Sequence, residues 1–152
     1  MASRRTSGHS SPVTLQLVGP TSWTEVPALL LYDVADPYAV RIAFGDLVED
    51  DAEPDAAITW LLSRELLQAG LERPAGDGDV RLWPAKVAAD VLYLHLRAPS
   101  GEALFEMSRA SVAAFLRQTV ALVPLGEEGD RLGLDDELEA LLSNGGADPT
   151  GR

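Results

Sequence analysis

Residues 13–18, VTLQLV, alternate strictly between apolar and polar side chains. Val13, Leu15 and Leu17 share one face and Thr14 and Gln16 the other, which predicts a half-buried strand. PALLLYD (27–33) is a second apolar run, short enough for a strand and led by a proline. YAVRIAF (38–44) is a third, with Val40, Ile42 and Phe44 on one face and Arg41 on the opposite one. Between these two lies DVADP, dense in turn formers. Ile58–Leu62, VRLWP (80–84), VLYLHLRA (91–98) and ALFEM (103–107) extend the set to about seven strands. The last two are joined by a tight Pro-Ser-Gly turn.

The period changes to helical at three places. Ser63 reads as a helix N-cap, with Leu66 and Leu67 turned to the core and Gly70 placed as the C′ stop. From Ser108 onward Val112, Phe115, Leu116 and Val120 form one stripe, which Pro124 ends. A last short helix is expected at about 134–143, where Leu134, Leu138, Leu141 and Leu142 recur at helical spacing. Asp135, Asp136 and Glu137 occupy its first turn, where the helix dipole favours anions. Its single narrow stripe reads as packing on its own domain rather than on a neighbour. Strands in hairpin-linked runs, each closed by a helix, predict an α+β fold. The sheet is expected to be curved and mostly antiparallel, or an open barrel, of about seven strands with three helices.

A chain of 152 residues suits one domain. The division expected is a flexible N-terminal tail at 1–12, a domain at 13–143 and a flexible C-terminal tail at 144–152. No apolar run reaches the roughly 18 residues of a membrane span, and MASRRTSGHS lacks the apolar stretch of a secretory signal. A cytoplasmic location is therefore expected. The absence of cysteine excludes disulfides, zinc–thiolate sites and thiol nucleophiles. The net charge of −12 weighs against nucleic acid and anionic lipid as main partners.

The residues that suggest chemistry each have a plainer reading. His95 is one of two histidines and sits mid-strand between Tyr93 and Arg97, with no Gly-x-Ser-x-Gly elbow elsewhere. It reads as a sheet residue. DLVEDDAEPD (46–55) lacks the glycine and regular oxygen spacing of an EF-hand loop and reads as a solvated loop. GDGD (76–79) reads as a turn, since no glutamate follows at the distance a metal loop needs. The strand aromatics Tyr32, Tyr38, Trp60, Trp83 and Tyr93 would stack bases only with basic residues interleaved on their face. Arg81 with Trp83, and Arg97 with Tyr93, alone offer that. In LYDVADPYAV (31–40), Asp33 and Asp36 read as the caps of a reversal that Pro37 stiffens, with Tyr32 and Tyr38 placed to pair across it. No catalytic, metal-binding or cofactor-binding residue is assigned and no cofactor is expected. The partner-binding residues stay unassigned.

LYDVADPYAV, LLSRELLQAGLERPAGDGDVRLWP, APSGEALFEMSRASVAAFLRQT and LDDELEALL occur in that order across residues 13–143. As a set they resemble the SsgA-like proteins of actinomycetes, regulators of sporulation and cell division that include SsgA and SsgB. The resemblance implies a fold similar to the Whirly-type single-strand nucleic-acid binders, assembled as a trimer. It implies a non-enzymatic role in positioning and assembling the division septum through protein–protein contacts. The partners implied are FtsZ, which SsgB recruits, or another SsgA-like protein. The alternative is a regulatory module that binds single-stranded nucleic acid, which the charge opposes.

Overall fold

The computed structural model describes residues 8–45, 58–131 and 141. The strands are β1 (Gly8–Val18), β2 (Trp23–Asp33), β3 (Ala39–Phe44), β4 (Ile58–Ser63), β5 (Val80–Pro84), β6 (Val91–Ala98) and β7 (Gly101–Ser108). The helices are α1 (Arg64–Gly70), α2 (Arg109–Leu122) and a single turn, α3 (Glu128–Arg131). The strands form one antiparallel sheet in the order β4-β3-β2-β1-β7-β6-β5. The expected α+β class and seven strands are therefore present. Two full helices accompany them; the third, expected near 134–143, lies outside the described residues except Leu141. The acidic stretch 46–55 and residues 144–152 lie outside them too.

The sheet is curled into a half-barrel. Phe44 on β3 and Phe105 on β7 are separated by two strands, about 14 Å on a flat sheet at the usual strand spacing. Their rings nevertheless stack with centroids 5.2 Å apart and planes 21° apart. The alternating side chains of each strand that point into the curl form the core: Leu15, Leu30, Val40, Ile42, Leu92 and Leu94 have no exposed surface. Val112, Phe115 and Leu116 of α2 pack onto them.

Two strands are longer than their hydrophobic patterns predict. β1 pairs with β2 without interruption from Gly8↔Asp33 to Val18↔Trp23. Residues 8–12, expected in the tail, are therefore strand. GHSSP shows no apolar alternation because its order comes from the backbone of Leu29–Asp33 opposite. Pro27, expected to lead β2, lies inside it. Its carbonyl accepts from the Gly45 N–H at 3.2 Å, so its missing N–H faces the β3 side. The last β2–β3 pair is Ala28↔Phe44. A proline cannot continue that ladder, and the chain leaves it at Gly45, where φ is +115°.

The N-caps are as expected: Ser63 accepts from the Leu66 N–H, and Ser108 from the Ser111 N–H. Gly70, expected at C′, is instead the last helical residue and is buried. Its reason is contact with β5: a Cβ there would lie 2.7 Å from Cβ of Leu82. The turn at 33–38 also differs in part. Asp33 accepts from the Ala35 N–H at 2.9 Å, as a turn-capping aspartate should. The Asp36 side chain makes an exposed 4.0 Å ion pair with Arg41, and it is the Asp36 backbone that closes the turn, its N–H donating to Asp33 O at 2.9 Å and its carbonyl accepting from the Ala39 N–H at 3.2 Å. The tyrosines do not face each other. Tyr32 points into the core and donates its hydroxyl to Pro37 O at 2.9 Å, while Tyr38 is half exposed.

Candidate functional site

α1 and α2 are tied by two arginines, each the first residue of its helix. Arg109 donates from Nε to Leu71 O at 2.8 Å and from Nη2 to Glu72 Oε2 at 3.1 Å, just past the end of α1. Arg64 reaches the end of α2, donating from Nη1 to Thr119 O at 3.1 Å and Val123 O at 2.8 Å. Its Nη2 donates to Glu128 Oε2 on α3 at 2.6 Å. Each guanidinium thus donates to backbone carbonyls at the C-terminal end of the other helix, Arg109 to Leu71 O, and Arg64 to Val123 O and to Thr119 O, which also accepts from the Val123 N–H. Arg64 has no exposed surface, and its guanidinium carbon lies 5.1 Å from the centroid of the Tyr32 ring. The Nη groups are committed to structural acceptors, so Arg64 organises the helices and offers no general acid or base.

Glu128 also accepts from the Gly126 N–H at 2.9 Å. The hydrogen bond from Arg64 holds its carboxyl below the ordinary value of 4.5, against the opposing effect of desolvation. A carboxyl with a lowered folded-state pKa adds stability above its unfolded pKa and loses it as pH falls through the folded one. Glu128→Gln is therefore expected to lower the melting temperature at pH 7. The gap to the parent should close as the pH drops below 4.5. Thermal melts across pH 7 to 2 check this, and a gap independent of pH would contradict it.

The other residues singled out in the sequence are not brought together. His95 lies 2.6 Å from Glu102 Oε1 across the β6–β7 hairpin, with no serine or cysteine bonded to it among the described residues. Trp83 and Tyr93 are opposite each other on β5 and β6 and stack at 5.6 Å, a cross-strand pair. Arg81 and Arg97 are exposed on the same two strands. GDGD (76–79) is the loop that leads into β5, with Gly76 at φ +90°. Among the described residues no group of three or more His, Asp or Glu is placed to hold a metal ion.

What the strand pattern missed is a groove. α2 covers the end of the curl where His9 lies, its Phe115 ring 5.4 Å from the His9 ring. β1 runs on for eight residues to Leu17, about 26 Å at the rise of a strand. At that far end the inner face stays open. Leu17, Val26, Phe44, Ile58, Trp60 and Phe105 line a cavity of about 660 Å³ there, with Leu96 and Ala98 of β6 on its other side. Glu102 is its one charged residue among those described. Ile58 is 69% exposed on the rim. The signal was present in the sequence, because Ile58, Trp60 and Phe44 are inward positions. The groove was not legible there, because a period of two gives the face of a side chain and not how far a helix covers that face. Apart from the Glu102 carboxylate and the Ser100 hydroxyl the lining is apolar, and it can bury apolar side chains of another molecule.

Comparison with known proteins places residues 26–128 within the model of a family described as the Streptomyces sporulation and cell division protein SsgA. The chain is 46% identical over 121 residues to the sporulation-specific cell division protein SsgB of Frankia casuarinae, covering 79% of this chain and 80% of that one. It is 41% identical over 128 residues to SsgB of Streptomyces coelicolor, covering 84% and 89%. A crystal structure of an SsgA-like sporulation-specific cell division protein from Thermobifida fusca superposes with a TM-score of 0.74 at 36% identity, covering 92% of this chain and 98% of that one. A second solved structure superposes at 0.73 with 38% identity, over 86% and 99%. It belongs to work on mutations in SsgB that correlate to longitudinal cell division during sporulation of S. coelicolor.

Proposed function

Because the chain belongs to the SsgA family of sporulation and cell division proteins, we propose that it acts in sporulation-specific division as an adaptor working through protein–protein contacts. The observation that carries the adaptor part is the groove: an open apolar surface whose described lining holds a single charged side chain, Glu102. Catalysis needs nucleophiles, acids or bases brought within hydrogen-bond reach of a reacting group, whereas this surface suits burial of a partner's side chains. Among the described residues no helix is long and apolar enough to cross a membrane, so placement at the septum would come from a partner. FtsZ, or another protein of the same family, is the partner this reading names. A homo-oligomer, such as the trimer of a Whirly-like assembly, would present several copies of one weak site to a polymer and raise the net affinity by avidity.

A fluorescent fusion followed through sporulation tests the reading. The expected result is foci at the division septa, with misplaced or missing septa in the deletion strain. Diffuse fluorescence with normal septa in the deletion strain would overturn it.

A further inference from the structure

We propose that copies of this chain join head to tail, the leucine-bearing stretch 134–142 of one docking in the cleft between α1 and α2 of the next. The inference deepens the homo-oligomer of the adaptor reading by naming the two surfaces that meet. The cleft measures about 620 Å³. Leu71, just past α1, and Leu116 on α2 are buried members of its lining. Ala113, Val120 and Ala121 line it along α2, and Leu125 stands at its end, 52% exposed. Arg117 is its one charged residue among those described.

The second surface is read from the sequence and from Leu141. Leu134, Leu138, Leu141 and Leu142 recur at helical spacing, with Asp135, Asp136, Glu137 and Glu139 among them. Packing on its own domain would bury that stripe, yet Leu141 is helical and 68% exposed. The cover it lacks within its own chain is available on another copy. The lengths agree: Leu134 to Leu142 and Ala113 to Ala121 both span eight residues, about 12 Å on a helix. The charges agree as well. Arg117 lies midway along the cleft, and Leu138, flanked by Glu137 and Glu139, lies midway along the stretch. Two copies of net charge −12 repel at long range, so contact between them needs such local complementarity. The two surfaces differ, which makes the contact heterologous: each copy gives one stretch and receives one.

Sedimentation velocity of the full chain over a concentration series gives the test, with Leu141→Asp and Ala121→Glu as the variants. Both positions are exposed, and unchanged melting temperatures confirm that the variants fold. The parent should associate beyond the 16.2 kDa of one chain. Each variant alone should associate at least tenfold more weakly. Mixed in equal amounts they should form dimers again, because the first keeps its cleft and the second its stretch. Growth should stop there, since the surfaces left over are the two altered ones. Arg117→Glu should weaken association at least tenfold, and Val87→Lys, at a position 98% exposed, less than twofold. A parent that stays monomeric at every concentration would overturn the inference and leave the cleft to another protein. Association that survives either substitution would do so too, as would a mixture that forms no dimers, since stretch and cleft would then not meet. Lowered melting temperatures for both variants would assign the cleft to the stretch of the same chain and overturn it as well. Septal localisation is read separately, so a monomeric parent leaves the adaptor reading standing, and diffuse localisation leaves the sedimentation result intact.

Discussion

Replacing Arg64 with methionine is expected to destabilise the fold by about 3–5 kcal/mol, the range for removing one partner of a buried ion pair. Methionine retains the apolar stem and removes the donors. Val123 O and Glu128 Oε2 then lose their donor, at 2.8 and 2.6 Å, and Thr119 O, which keeps the Val123 N–H, loses a second one at 3.1 Å. Burial blocks rescue by water: the side chains of Arg64 and Glu128 keep 1% and 12% of their surface exposed. Leaving buried acceptors unpaired costs more than the hydrogen bonds themselves contribute. At about 2–4 °C per kcal/mol for a chain of this size, the melting temperature should fall by on the order of 10 °C. Lysine should not restore it, since a single ammonium lacks the planar fork that reaches carbonyls and carboxylate together. Urea unfolding of Arg64→Met and Arg64→Lys checks both statements. A midpoint within error of the parent would show that the network adds nothing net.

Phe115→Ala is the second substitution with a large expected effect, also about 3–5 kcal/mol. The ring is 1% exposed and joins α2 to the core. Its removal opens a cavity at the end of the curl that α2 closes, where the ladder to β2 holds β1 in place and limits its collapse into the space. His9→Ala removes only the other ring of the pair at 5.4 Å and should cost about 0.5–1.5 kcal/mol, the range for an aromatic pair. Equal losses for the two would mean that the tilted ring contact, and not the burial of Phe115, holds the helix. Denaturant melts of the two variants give the comparison directly.

These two residues mark what the sequence carried and what it did not. Phe115 was legible: it falls on a stripe with Val112, Leu116 and Val120, and that period needs no knowledge of the partner surface. Ser63 and Ser108 were legible as caps because a cap bonds residues three positions along the same chain. Leu92, Leu94 and Leu96 gave β6 by simple alternation. Arg64 was invisible. It sits in the first turn of a helix, where an arginine is ordinarily solvated, and its acceptors are 55 to 64 residues away. Glu128 was equally invisible, since it follows Glu127 in an acidic stretch and its partner Arg64 is 64 residues away. Gly70 was read as a helix stop because glycine usually ends helices, whereas here it admits Leu82.

By itself, then, the sequence determined what local physics can determine: strand and helix periods, two caps, the turn at Asp33 and an acidic chain without cysteine. Its linked motifs also sufficed for the family. The tertiary structure decided what depends on distant segments meeting. It ordered residues 8–12 by pairing them with β2, ended β3 beside Pro27 and buried Arg64 between two helix ends. It also curled β3 and β7 together until Phe44 met Phe105, and left the far end of that curl open. A hydrophobic pattern reports which face of a strand is apolar. How much of that face is covered depends on the length of α2 relative to the curl, and that is a property of the assembled fold.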